Sequence, residues 1–171
     1  MTDGETLDEA AFLAAAAADG GRDVEEFFRR LFDTVRRAGM GIDRGASSTP
    51  TAVGWCVLDG TPSIIWVATT GGAGGTPGLE LWLTELLARV AVSPYREIVL
   101  ALFVIPLVQQ GLEANGTRAV LEVGNLVANR NQSDQMLSVL AQIAEAGRSS
   151  GAAFRTPGGL YSWGERGEHG G

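Results

Sequence analysis

The stretch TAVGWCVLDGTPSIIWVATTGGAGGTPG, residues 51–78, decides the fold. Thr51 to Leu58 is rich in β-formers, Asp59-Gly60 supplies two residues that tolerate positive φ, and Ser63 to Thr69 resumes the pattern. Two apolar runs joined by such a pair read as a β-hairpin. A two-residue type I′ loop would pair Leu58 with Thr61, then set Val57 opposite Pro62, Trp55 opposite Ile64 and Val53 opposite Trp66. In that register Pro62 need donate no hydrogen bond inside the hairpin. One face then carries Val53, Trp55, Val57, Ile64 and Trp66, and the other Ala52, Cys56, Leu58, Ile65 and Val67. Neither face is polar, so the sheet is expected to be covered on both sides, by helices or by a partner.

The glycines that follow read as a connection into a helix, with Thr76 as N-cap and Pro77 as the first helical residue. Backbone N–H groups ahead of a helix N-terminus favour an anion. Gly71, Gly72, Gly74, Gly75 and Thr76 are therefore the candidate residues of a phosphate or nucleotide cradle. Neither common phosphate-loop pattern fits. The third glycine of Gly-x-Gly-x-x-Gly falls on Pro77, and the P-loop lysine is missing.

Outward from this stretch the chain reads as helices around a small sheet. Leu79, Trp82, Leu83, Leu86, Leu87 and Val90 recur at helical spacing and predict a helix from Leu79 to about Val92. Glu97 to Ile105 reads as a strand buried on both faces, completing a right-handed βαβ unit; a helix running into Pro106 is the competing reading. Pro106 opens a short helix ended by Asn115-Gly116, and Arg118 to Ala128 reads as another. Ser133 caps a last helix with Met136, Leu137, Leu140 and Ile143 inward and Gly147 as its stop.

On the N-terminal side, Thr6-x-x-Glu9 forms a capping box before an alanine-rich helix that ends at Asp19-Gly20-Gly21. A second helix, from near Asp23 to Arg37, carries Val24, Phe27, Phe28, Leu31, Phe32 and Val35 on one stripe. That stripe faces either the core or a partner. Phe27, Phe28 and Phe32, with Trp55 and Trp66 of the hairpin, are the candidate partner-binding residues.

The pattern as a whole predicts an α/β fold, with α+β as its variant. It is a single domain in which a small mixed sheet, built on the hairpin and the 97–105 strand, is covered by helices. Residues 1–45 read as a helical pair packing on the core, 46–155 as the α/β core and 156–171 as a glycine-rich tail.

Composition narrows the function. The 171 residues carry a formal charge of −7, and all 13 basic residues are arginine. An acidic chain is a poor match for nucleic acid or an anionic membrane, which need a basic face. Without lysine there is no Schiff-base or lysine-base chemistry. Cys56 is the one cysteine, so no intramolecular disulfide forms, and mid-strand it reads as a small buried hydrophobe. The first ten residues are acidic and lack the charged and apolar regions of a secretory leader. The longest apolar run, Ile98 to Val108, is shorter than the roughly 20 residues a membrane span takes. A soluble, cytoplasmic protein is the expectation, with export without a cleavable leader as the alternative.

No catalytic residue, metal ligand or cofactor is implied. The only histidine, His169, stands two residues from the end of the sequence, too far from any ordered element to act as base or ligand. The acidic neighbours Asp8-Glu9 and Glu25-Glu26 stand at helix starts, where carboxylates complement the dipole, and Asp43-Arg44 reads as a solvated pair.

Near the C-terminus, Tyr161-Ser-Trp-Gly-Glu165 fits Tyr-x-x-x-Asp/Glu and resembles the tail signal of proteins exported by actinobacterial type VII secretion systems. In those families the motif follows a helical hairpin with Trp-x-Gly in its turn, whereas the Asp19-Gly20-Gly21 turn here has no tryptophan. The segment Trp55 to Pro77 is also similar to actinobacterial α/β domains encoded near such systems. The resemblance implies Tyr161 and Glu165 as an export signal and carries no other residue-level role. The expected function is a non-enzymatic interaction or accessory module that binds a protein partner or its own copy. The alternative is a small-molecule binder or transferase using the Gly71–Gly78 loop.

Overall fold

The computed structural model describes residues 7–72, 75–92 and 95–149, with backbone alone for 148–149. Two helices, α1 (Glu9–Gly20) and α2 (Arg22–Arg37), precede four strands: β1 (Gly41–Arg44), β2 (Thr51–Leu58), β3 (Thr61–Thr69) and β4 (Gly78–Leu81). Then come α3 (Leu83–Arg89), α4 (Arg96–Leu100), α5 (Pro106–Asn115), β5 (Ala119–Glu122), α6 (Val123–Ala128) and α7 (Arg130–Ser149). The fold is α/β in a single small domain, with the five strands in sequential order and every neighbouring pair antiparallel.

The hairpin forms as its turn chemistry requires. Asp59 and Gly60 both have positive φ, 50° and 78°, and Leu58 lies opposite Thr61, Val57 opposite Pro62 and Trp55 opposite Ile64. Beyond that point the register shifts. A bulge leaves Ile65 unpaired, so Gly54, not Val53, lies opposite Trp66. This moves Trp66 to the opposite face from Trp55 and corrects the expected placement. The cause is steric. The Trp66 indole lies across Gly54, where an added Cβ would stand 2.0 Å from the ring.

Further expectations are corrected by the sheet. Residues 79–81 are strand, not helix: Leu79 and Leu81 point inward and pair with Ala68 and Trp66, while Glu80 alternates outward. The helix begins only at Leu83, burying Leu83, Leu86 and Val90. The 118–128 helix is likewise divided, with Ala119 and Leu121 inward on β5 before α6 starts. Glu97 to Ile105 contains no strand; α4 and a run of turns occupy it, so the βαβ unit and the mixed sheet are replaced by an antiparallel meander. The reason is spacing. Val99, Leu102 and Ile105 are buried three residues apart while Val104 is 63% exposed, a helical rhythm that a strand cannot satisfy. Strand β1 holds Asp43 and Arg44, which the sequence gives only as a solvated pair, and α7 starts at Arg130, with the Ser133 hydroxyl donating back to the Arg130 carbonyl rather than capping.

Helix α2 packs against α1, α6 and α7, and α7 also meets β2. All six apolar positions of the α2 stripe are buried. Phe12, Phe28 and Phe32 form a cluster at centroid distances of 5.1–6.2 Å, with Phe27 5.7 Å from Phe28. Trp66 joins it by stacking on Phe32 at 6.1 Å and donates its indole N–H to the Met40 sulfur at 3.1 Å. Each large aromatic so buried contributes about 1.5–3 kcal/mol of transfer free energy.

Candidate functional site

Register assigns each strand residue to one of two faces. The inner face carries Ala52, Gly54, Cys56, Leu58, Trp66, Ala68, Leu79, Leu81, Ala119 and Leu121, and every one of these is buried. The outer face carries Asp43, Val53, Trp55, Ile64, Val67, Glu80, Val120 and Glu122. There Val53, Trp55, Ile64 and Val67 are only half-buried, and Val120 is 49% exposed. Val57 and Pro62 continue this face at the hairpin end, where both are buried.

Two indoles stand to either side of Ile64 on the outer face. The Trp55 ring lies over Gly41 of β1, where an added Cβ would stand 2.4 Å from it. Its N–H makes no hydrogen bond of ordinary geometry, yet it is near enough to Asp43 to draw that carboxyl's pKa down. Burial pushes the other way and more strongly, so Asp43 titrates above the usual carboxylate value. At the opposite flank Trp82 donates its backbone N–H to the Ile65 carbonyl at 3.0 Å, extending the sheet one residue past β4. The Arg118 guanidinium lies 3.7 Å from the centroid of the Trp82 ring and bonds Glu80 at 3.1 Å and Glu85 at 3.0 Å.

The structure separates the residues singled out in the sequence. Phe27, Phe28, Phe32 and Trp66 are 3, 0, 0 and 0% exposed and lie in the core, so no partner reaches them while the fold is intact. Trp55 alone of that group stands on the outer face. Its neighbours Val53, Ile64, Val67, Trp82 and Val120 escaped the sequence reading as a surface. Trp82 lies between β4 and α3 and Val120 lies in β5, both within stretches whose spacing predicts helix, and the two hairpin faces are equally apolar in sequence. The period-two runs Leu79-Glu80-Leu81 and Ala119-Val120-Leu121-Glu122 were the signals that could have exposed it.

The glycine loop connects two strands, so the expected helix N-terminus at Thr76 and Pro77 is not there and no helix dipole points into it. Gly71 and Gly72 adopt positive φ, and Gly75 closes a turn by donating to the Gly72 carbonyl at 3.3 Å. Gly72 N–H is already engaged by the Asp19 carboxylate at 3.1 Å. An incoming phosphate would meet that negative charge first. Gly74 lies outside the described residues, as do Tyr161 and Glu165.

Cys56 is buried, and desolvation pushes its thiol up to about 12, so it carries no thiolate at neutral pH. Among the described residues no three His, Cys, Asp or Glu side chains are grouped to hold a metal ion. No helix among them is long and apolar enough to cross a membrane. No protein-family model, curated protein or solved structure matches the chain.

Proposed function

We propose that this chain is a non-enzymatic protein-interaction module, and that its binding surface is the outer face of the sheet. The observation that carries the reading is the mismatch between that face's exposure and its composition. An antiparallel sheet face left to water ordinarily alternates to polar side chains. Here Val53, Trp55, Ile64, Val67 and Val120 occupy it without burial comparable to the inner face. A contiguous apolar patch of this kind marks a contact surface.

Native mass spectrometry on protein purified gently from its own host tests the proposal. The wild type is expected to carry a second polypeptide, and Val67→Asp is expected to lose it while unfolding at an unchanged temperature. A partner retained by Val67→Asp would remove this face as the site. The same proposal extends to type VII export, which rests on the Tyr161 and Glu165 motif alone. Tyr161→Ala is expected to stop secretion from a native host, and continued export would detach the tail motif from function.

A further inference from the structure

Resting on the outer face as the binding surface, we infer that its partner is an amphipathic helix whose apolar stripe is flanked by arginine or lysine. Shape gives the first argument. The Trp55 ring lies over β1 and Trp82 continues β4 by one residue, three strand positions away, about 14 Å at the usual ~4.8 Å spacing. Ile64 lies between them, and Val53 and Val67 form the next row along the strands. A helix with its side chains is about 10–12 Å across and fits one to that width. Along β3, the half-buried outer positions Ile64 to Thr69 cover about 16 Å, the length of about three helical turns.

Charge gives the second argument. Asp43, Glu80 and Glu122 stand on this face, and Glu85 joins them at the start of α3. The cation described there, Arg118, is committed to Glu80, Glu85 and the Trp82 ring. Arg44 pairs with Ala52 and so belongs to the inner side. Among the described residues Asp43 and Glu122 make no ion pair and face the partner. A second copy docking through the same patch would set carboxylates against carboxylates, in a chain already at −7. A basic helix instead supplies what the face lacks, and its apolar stripe covers Val53, Ile64 and Val67.

Panning a phage-displayed library of random peptides of about 16 residues, long enough to cover the face, against the full chain and against Val67→Asp in parallel tests this. Should Val67→Asp fail to fold, Val120→Asp, at a more exposed position, takes its place. The expected outcome is a set of peptides recovered by the wild type alone, with i, i+3, i+4 apolar spacing and net positive charge. Their affinity is expected to fall about tenfold in the Asp43→Asn, Glu122→Gln double variant, and to fall further with added salt. Peptides that depend on Val67 but are neutral or acidic would overturn the charge inference and leave the face standing. Peptides with strictly alternating apolar residues would overturn the helix. A selection with no dependence on Val67 would overturn both the inference and the surface it rests on.

Discussion

Trp66 over Gly54 and Trp55 over Gly41 are one contact made twice, on opposite faces of a single sheet. Each indole lies across a glycine of the neighbouring strand, and in each case a Cβ would collide with the ring, at 2.0 Å and 2.4 Å. The surroundings separate them. Trp66 is walled in by Phe32 and Met40 and has no exposure. Trp55 is half-buried on a face that the helices leave uncovered. The same residue pair thus fixes the core in one place and offers a surface in the other. What distinguishes a core contact from a surface contact here is the layer on top, not the side chain.

The largest effect that would sharpen this contrast is Trp66→Ala. It is expected to cost about 3–5 kcal/mol, the range for truncating a large buried aromatic, read by urea unfolding. Next, Gly54→Ala should cost about 3 kcal/mol, because a ring locked by its neighbours has nowhere to go. Gly41→Ala should cost about 1 kcal/mol, since the Trp55 ring can swing toward solvent. Equal losses at the two glycines would break the comparison by showing that the outer indole is as confined as the inner one. Trp55→Ala is expected to cost as little in stability as Gly41→Ala, about 1 kcal/mol for a half-buried ring, but to weaken partner binding as well.

The smallest effect is a pH dependence at the outer face. Burial raises the folded-state pKa of Asp43 above its unfolded value of 3.8. The folded state therefore favours the protonated carboxyl. Its contribution is fully present below pH 3.8 and is lost as pH rises through the higher folded value. Asp43→Asn should thus match the wild type near pH 3 and be slightly more stable at neutral pH, measured by thermal unfolding at both. A variant less stable at neutral pH would mean that the indole contact, not burial, governs this carboxylate.

Much of the fold was legible in the sequence because it is set by short-range chemistry. The Asp59-Gly60 turn, the α2 stripe and the stop at Gly21 need only local φ preferences and helical periodicity. The failures share a cause as well. Gly78 to Arg89 and Ala119 to Ala128 each hold a four-residue strand followed at once or after one residue by a helix, and over so few residues an i, i+3, i+4 pattern outweighs two steps of alternation. In the run before Pro106, apolar composition was read as burial on both faces, when only every third residue is buried.

The sequence by itself determined that a two-strand unit with two apolar faces exists, that the chain is acidic and lysine-free, and that its one histidine is His169. Only the tertiary structure decided which of the two faces the helices cover. A bulge at Ile65 turned Trp66 inward, and α2 and α7 closed over that side. That choice depends on how the Gly54 gap and the Phe32 ring receive one indole, contacts between residues far apart in the chain. Periodicity can say that a side chain is apolar; burial is decided by what packs against it.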